Sequence, residues 1–255
     1  MGIFDCAPLS LTLPLDGGEE GGGAFRTGVM MNWESILLSA KLSTFTSLIL
    51  FAIGIPIAYW LTFTHRRWKF LIEAVVALPL VLPPTVLGFY ILVAIGPKSP
   101  IGHLWKDITG SQLPFSIQGL LIASVLYSLP FAVQPFVSSF ASVDKKLLEA
   151  AWTLGASRIK TLFTIILPLS LFGIITGMIL SFAHTLGEFG VVLLVGGNIP
   201  GVTRTVSIDI YDNVQALNYG AAGRTSIFLL IISFLVLAIV YALNRKVWSV
   251  WPQRF

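Results

Sequence analysis

A short charged segment, Val143-Asp-Lys-Lys-Leu-Leu-Glu-Ala-Ala-Trp-Thr-Leu-Gly-Ala-Ser-Arg-Ile-Lys160, separates two long uncharged runs of the chain. Asp144 is of a residue type that caps helix N-termini, and Gly155 is of the type that ends helices. Between them, four apolar residues fall on one face of a helix: Leu147, Leu148, Ala151 and Leu154. The segment therefore predicts two short helices that meet at Gly155.

The uncharged runs on both sides are long enough to cross a lipid bilayer. A helix needs about 20 apolar residues to span the hydrocarbon core. Five runs between charged residues reach that length: 42–64 (23 residues), 74–97 (24), 108–143 (36), 161–187 (27) and 225–244 (20). The third run opens with polar residues, so its helix is expected to begin near Phe115. A further apolar patch, 189–195, is too short to span, which leaves five predicted transmembrane helices.

The composition excludes an ordinary soluble protein. Of the 255 residues, 55% are hydrophobic and 11% are charged, and the mean hydropathy is +0.86. Soluble domains carry about 25% charged residues, so this chain has too few charges to cover a water-facing surface. The net charge is +4, but the basic residues flank apolar runs and form no basic face with interleaved aromatics. They are interpreted as determinants of topology, and nucleic acid is not an expected partner.

The distribution of lysine and arginine predicts the orientation, because basic residues accumulate on the cytoplasmic side. Placing the loop after the first span inside puts ten basic residues in the cytoplasm and five outside. The predicted location is the plasma (inner) membrane, with the N-terminus outside and the C-terminus in the cytoplasm. Residues 1–30 are rich in glycine and predict a disordered tail, and residues 31–255 predict one membrane domain. Cys6 is the single cysteine, so no disulfide framework is expected.

The charged segment carries a recognisable motif. Glu-Ala-Ala, three residues, Gly, nine residues, Ile, one residue and Leu-Pro is similar to the EAA loop of the permeases of ATP-binding-cassette (ABC) importers. The motif is filled by Glu149, Ala150, Ala151, Gly155, Ile165, Leu167 and Pro168. In that family the loop forms coupling helices that dock on an ATPase subunit. An amphipathic hairpin on the membrane surface is the alternative reading of the same residues.

Two other segments indicate which family of importer permeases the chain resembles. The second predicted span carries Leu-Pro-Leu-Val-Leu-Pro-Pro-Thr over residues 78–85, and the outer end of the fourth carries Gly-Glu-Phe-Gly over residues 187–190. With Gly-Gly-Asn-Ile-Pro-Gly at 196–201, they resemble the molybdate/sulfate permease family. The candidate pathway or gate residues are Pro79, Pro83, Pro84, Thr85, Gly187, Glu188, Gly190, Asn198 and Pro200. The prolines and glycines are equally compatible with kinked helix packing and tight turns alone.

The resemblance implies an all-α, polytopic membrane bundle with the type I ABC importer permease fold and cytoplasmic coupling helices. It implies a second permease copy, two ATPase subunits and an extracytoplasmic molybdate-binding protein as partners, with ATP-Mg bound on the ATPase subunits. The implied activity is import of molybdate, or of tungstate, by alternating access. A permease for sulfate, thiosulfate or another oxyanion is the alternative within the family.

Other functional classes have less support in the sequence. A phosphate-binding Gly-x-x-x-x-Gly-Lys-Ser/Thr loop is absent from the sequence, as are paired carboxylates within a span, so the chain is not predicted to be an enzyme by itself and no catalytic residue is assigned. His184 and Glu188 lie one helical turn apart, but a pair lacks the further ligands of a metal site, so neither a metal nor a bound cofactor is predicted. A channel or a membrane enzyme remains the alternative from a different class.

Arg204 and Arg224 are predicted to lie on the outer side, close to where a binding protein would deliver an anion. Their charge can attract the anion over a distance that shortens as salt is added. The alternative is that both arginines anchor helices at the membrane surface. The two interpretations predict different effects of salt on anion uptake.

Overall fold

The computed structural model describes residues 32–250, with side chains described as far as Ala242. The tail predicted over residues 1–30, with Cys6, lies outside the described residues. The helices of the described part are α1 (Trp33–Phe63), α2 (Lys69–Val81), α3 (Pro84–Ile95), α4 (Pro100–Thr109), α5 (Ile117–Ala141), α6 (Lys145–Thr153), α7 (Arg158–Thr161), α8 (Leu167–Leu169), α9 (Leu171–Gly187), α10 (Gly190–Gly196), α11 (Val206–Gln215) and α12 (Tyr219–Val250). A π-helical turn, Leu162–Ile166, joins α7 to α8. The all-helical prediction is confirmed for this part of the chain.

Three helices are long and apolar enough to cross a membrane unbroken: α1, α5 and the part of α12 from Tyr219–Ala242. Two further candidate spans are bent pairs, α2 with α3 and the segment Arg158–Leu169 with α9. If each pair makes one crossing, the total is five, which agrees with the five uncharged runs. Large apolar side chains such as Phe234 stand exposed along α12, as lipid-facing positions require.

The core of the bundle is formed where α1, α5 and α9 pack closely. Small residues allow this approach, since a Cβ added to Gly177 would lie 2.6 Å from the ring of Phe136, and one added to Gly54 would lie 3.1 Å from the same ring. Phe136 is fully buried between these glycines. The Ser181 hydroxyl of α9 donates to the Ser47 hydroxyl of α1 over 3.4 Å. Such small and hydroxylated residues at helix contacts are typical of membrane bundles.

The sequence indicated a kink in the second span, and the structure shows a complete break between two helices. The axes of α2 and α3 differ by 115° across a break of two residues, Leu82 and Pro83. Two successive prolines explain the break, because Pro83 and Pro84 both lack the N–H that would bond to the carbonyls of Pro79 and Leu80. Each also disfavours helical geometry at the residue before it.

Two short helices were not predicted from the sequence. α4 is capped by the Ser99 hydroxyl, which accepts from the Gly102 N–H over 2.9 Å, and it ends at Gly110 with φ of +70°. α11 follows the outer glycine-rich loop, and its first N–H, at Val206, donates to the Ser39 hydroxyl of α1 over 2.8 Å. The third span begins at Ile117, close to the predicted start at Phe115.

Candidate coupling loop and membrane joint

The loop between the third and fourth spans folds as two short helices, as its residues predict. The Asp144 carboxylate caps α6 by accepting from the Lys146 N–H over 2.9 Å. At the other end, the Gly155 N–H donates to the Trp152 carbonyl and the Ala156 N–H donates to the Ala151 carbonyl, both over 2.9 Å. These two bonds form a Schellman motif, and they require the left-handed backbone that Gly155 adopts at φ of +83°. The glycine therefore fixes the angle between α6 and α7.

Only part of the apolar stripe of α6 faces the protein. Leu148 is 2% exposed and packs against the core, whereas Leu154 is 88% exposed. Leu147, Trp152 and Ile159 are also exposed, and Glu149 and Ala150 lie on the same open surface. Of the four apolar residues that the sequence places on one face of α6, only Leu148 is buried against the bundle, because α6 is only nine residues long. The loop presents an apolar surface that no other described residue covers.

The second half of the motif connects the loop to the fourth span. Ile165, Leu167 and Pro168 lie in the π-helical turn and α8, after which the chain bends by 74° into α9 at Ser170. Pro168 lacks the N–H that a regular helix needs at this point. The bend is tied to α5 by reciprocal bonds, since the Ser139 hydroxyl donates to the Ser170 carbonyl over 3.2 Å and the Ser170 hydroxyl donates to the Ser139 carbonyl over 3.3 Å.

Two cavities of about 410 and 530 Å³ lie between the loop and the nearby end of α1. Both are lined by Phe63, His65 and Trp152. Arg158 lines the smaller one, and Glu149 lines the larger one. Val143, Leu148 and Ile166 attach this part of the chain to the core of the bundle, and open space remains beside α6.

Most of the predicted pathway residues meet at one level of the bundle, which we call the membrane joint: residues 82–85 and 187–190. A Cβ added to Gly190 would lie 2.8 Å from the Cβ of Pro84, so α10 and α3 touch at these two residues. Thr85 and Gly187 are exposed beside this contact. The Glu188 side chain points inward and is 4% exposed. Pro79 is buried one turn before the break in α2.

The structure also brings to the joint three hydroxyl residues that the sequence did not single out. The Ser128 hydroxyl lies 2.9 Å from His184 Nδ1 and 2.8 Å from the Thr185 hydroxyl, which links α5 to α9. The His184 ring stacks on Phe131 with 3.9 Å between centroids. Ser124 lies one turn before Ser128, beside the Glu188 carboxyl. Serine and threonine are common within apolar runs, so no sequence pattern distinguishes these three residues.

Asn198 and Pro200 lie apart from the joint, in the outer loop that follows α10. The Asn198 side chain accepts from Arg204 Nε over 2.7 Å and donates to an Asp212 carboxylate oxygen over 2.6 Å. Arg204 Nη2 lies 3.4 Å from that same oxygen, which closes a triad between the loop and α11. Pro200 is exposed in a turn in which the Ile199 carbonyl accepts from three N–H groups, those of Val202, Thr203 and Arg204.

Comparison with solved structures identifies the fold. A solved bacterial alginate ABC transporter, in complex with an alginate pentasaccharide-bound periplasmic protein, has a chain similar in fold, with a TM-score of 0.68 at 17% identity. The similarity covers 89% of this chain and 84% of that chain. The fold is that of the type I ABC importer permeases.

Sequence comparison gives the family. The chain belongs to the binding-protein-dependent transport system inner membrane components, whose family model matches residues 51–249. It is 50% identical over 211 residues to the molybdenum transport system permease protein ModB of Azotobacter vinelandii, covering 83% of this chain and 93% of that protein. It is 38% identical over 208 residues to ModB of Escherichia coli K12, covering 82% and 90%. The resemblance seen in the sequence motifs is thereby confirmed.

Proposed function

We propose that this chain is the permease subunit of an ATP-driven importer that moves molybdate inward by alternating access. The observation that carries this proposal is the 50% identity, over most of both chains, to a molybdenum transport permease. The chain contributes the membrane path, while a separate ATPase binds ATP-Mg and hydrolyses the nucleotide. A second copy of the chain completes the path, because a two-fold symmetric pair of ATPase subunits offers two docking sites.

Coupling to the ATPase is assigned to the loop of residues 144–160 and its continuation to Pro168. Its uncovered apolar side chains, Leu154 and Ile159 among them, are suited to an apolar groove on a partner. The Schellman motif at Gly155 holds α6 and α7 at a set angle, so that the pair can move as one body. The reciprocal bonds between Ser139 and Ser170 would pass that movement to α5 and α9.

The membrane joint is assigned to the translocation path. Pro83, Pro84 and Thr85 are exposed at the break between α2 and α3, where backbone carbonyls have lost their helical donors. Irregular backbone at membrane depth is tolerated only where it is covered by protein or lines a water-filled cavity. The joint is therefore expected to face the second copy and the path between the copies, away from lipid.

The proposed orientation has the coupling loop in the cytoplasm and the start of α1 outside. Trp33 of α1 and Phe228 of α12 pack edge to face with 6.1 Å between centroids, so both helices start at the same end of the bundle. The far end of α1 shares a cavity with Trp152 and Arg158 of the coupling loop. The end that holds the loop is also the end with most of the basic residues, as the positive-inside rule requires of a cytoplasmic side.

The test is reconstitution of the chain in lipid vesicles with its ATPase subunit and the molybdate-binding protein. Uptake of labelled molybdate should require ATP, the binding protein and the permease together. Excess tungstate and excess sulfate are added in separate arms to define the substrate. ATP-dependent uptake of sulfate, with none of molybdate, would replace the substrate assignment, and uptake without ATP would favour a channel.

A further inference from the structure

The Glu188 carboxyl is the least satisfied polar group at the membrane joint. Neither of its oxygens has a hydrogen-bond partner among the residues that the structure describes, and the side chain is 4% exposed. The Ser124 hydroxyl is also buried and lies close enough to act on the carboxyl, but no hydrogen bond of regular geometry joins the two groups. The burial is provided by this chain alone, so a second copy cannot reach the carboxyl in this conformation.

Among the described residues, no lysine or arginine side chain acts on Glu188. α5 presents Tyr127, Ser124 and Ser128, of which Tyr127 alone is titratable, and α10 carries no titratable residue. α9 presents His184, whose Nδ1 faces the Ser128 hydroxyl and whose ring stacks on Phe131. The only titratable residue of α3, Tyr90, is exposed on the surface. Tyr211 of α11, whose ring packs on Phe189, is a further titratable neighbour. An ionised carboxylate left unpaired in such a site costs several kcal/mol, whereas a neutral acid costs far less.

The position of Glu188 in the chain couples this burial to the shape of the joint. α9 ends at Gly187 and α10 begins at Gly190, so Glu188 and Phe189 form the break between them. Below the break, α9 is held against α5 by its close packing at Gly177. Above it, α10 touches α3 through Gly190 and Pro84, at the break of the second span. If α3 and α10 moved together, the chain would bend at the α2–α3 break and at the α9–α10 break. This bending would expose the Glu188 carboxyl.

We propose that Glu188 is a proton-binding site of the membrane joint. In the conformation described here, the joint is closed and Glu188 is a neutral acid. When the joint opens during alternating access, the carboxyl meets water, releases its proton to that water and becomes a carboxylate. On closing, a proton from water returns to the carboxyl before it is buried. This inference rests on the proposed function, because alternating access supplies the opening.

Two consequences follow for transport. Ionisation stabilises the open joint, so the open state should gain population as the pH rises and lose it as the pH falls. Glu188→Gln cannot ionise, and it should shift the balance toward the closed joint and slow uptake about 5-fold or more.

Difference infrared spectroscopy of the assembled transporter in lipid tests the proposal directly. Spectra are recorded for the nucleotide-free and the ATP-trapped states of the wild type, of Glu188→Gln and of Glu188→Asp. One state should contain a protonated carboxyl band that the other state replaces with carboxylate bands. The band should be missing in Glu188→Gln and shifted in Glu188→Asp. Glu34→Gln, which removes an exposed carboxyl from the first turn of α1, is the matched control and should retain it.

The result that overturns the proposal is the same protonation state of Glu188 in both nucleotide states. If Glu188→Gln fails to assemble, the wild type and Glu188→Asp spectra decide the matter alone. The pH profile of uptake gives a second measurement, since the wild type should depend on pH more steeply than Glu188→Gln. Failure of the proposed function is separate: absent molybdate uptake by the wild type would reject the substrate, while the infrared bands would still report on Glu188.

Discussion

Pro84 and Gly190 meet where two broken helices come together, with a Cβ added to Gly190 lying 2.8 Å from the Cβ of Pro84. This contact places the break between α2 and α3 directly against the break between α9 and α10. The two residues are far apart in the sequence, and each is the first residue of the helix that follows a break. Because glycine at 190 has no side chain, the break between α9 and α10 can pack closely against the break between α2 and α3.

Gly190→Ala should destabilise the permease, because the added methyl group has no room beside Pro84. Overpacking of this kind costs about 1–3 kcal/mol, since α3 and α10 must separate to accept the side chain. The thermal unfolding midpoint of the purified protein should fall. Gly223→Ala is the matched control, because a Cβ at Gly223 in α12 meets nothing within 4 Å. An unchanged midpoint in Gly190→Ala would mean that α3 and α10 do not touch here.

Gly155→Pro should uncouple ATP hydrolysis from transport. Proline cannot adopt φ of +83° and has no N–H to donate to the Trp152 carbonyl, so the Schellman motif is lost. Membrane insertion should be normal, while molybdate uptake per ATP hydrolysed falls or the ATPase subunit no longer co-purifies. Ala151→Trp should have the same effect by adding bulk to the docking surface.

Gly110→Pro provides the control for the local damage in Gly155→Pro. Gly110 ends α4 with φ of +70°, and its N–H donates to the Lys106 carbonyl over 2.8 Å, so the same substitution removes the same kind of helix end. It lies at the predicted outer side, away from the ATPase. Equal loss of coupling in the two variants would show that helix-end damage, and not the position at residue 155, causes the defect.

The orientation is tested by labelling single cysteines in intact cells, in a variant from which Cys6 has been removed. Cysteines at Lys69 and Lys246 should be protected from a reagent that does not cross the membrane. Cysteines at Lys98 and Lys106 should react with it, because the loop that contains α4 is predicted to be outside. After the cells are opened, all four positions should react. Labelling at Lys246 before opening would contradict a cytoplasmic C-terminus.

The spans and the coupling loop could be predicted from the sequence because each depends on local signals. Uncharged runs of about 20 residues can hardly be anything other than membrane helices when so few charges are present. Asp144 and Gly155 mark the ends of α6 by backbone chemistry that acts within a few residues. Because these signals are local, the EAA motif could be assigned to a loop of two short helices without knowledge of tertiary contacts.

The joint could be predicted only in part, because its contacts connect residues far apart in the chain. Pro83 was recognised as a residue that kinks a helix, and Gly190 was named as a candidate pathway residue, but the sequence does not show that the segments around them meet. Glu188 was named as a candidate pathway residue, but nothing in the sequence indicated that its carboxyl is buried without a hydrogen-bond partner among the described residues. Ser128 and Thr185 were not recognised, since a hydroxyl in a membrane helix can also bond to its own backbone.

The triad of Asn198, Arg204 and Asp212 bears on whether Arg204 attracts the anion or anchors the outer loop. The Arg204 guanidinium is already held by the Asn198 side chain at 2.7 Å and the Asp212 carboxylate at 3.4 Å, so anchoring is the role that the geometry favours. Arg204→Gln, Asp212→Asn and the double variant form a mutant cycle. Their unfolding free energies should give a coupling of about 0.2–1 kcal/mol, as is usual for partly exposed ion pairs.

The salt dependence of uptake separates anchoring from attraction. If Arg204 anchors the loop, Arg204→Gln should lower molybdate uptake by a similar factor at low and at high salt, and Asp212→Asn should do the same. If Arg204 attracts the anion, its removal should lower uptake mostly at low salt, because screening weakens the attraction of the wild type at high salt. Lys98→Gln removes one positive charge from the same predicted side outside the triad, and it controls for a change in net charge. A defect in Arg204→Gln that disappears at high salt would reject the anchoring role and assign this arginine to the approach of the substrate.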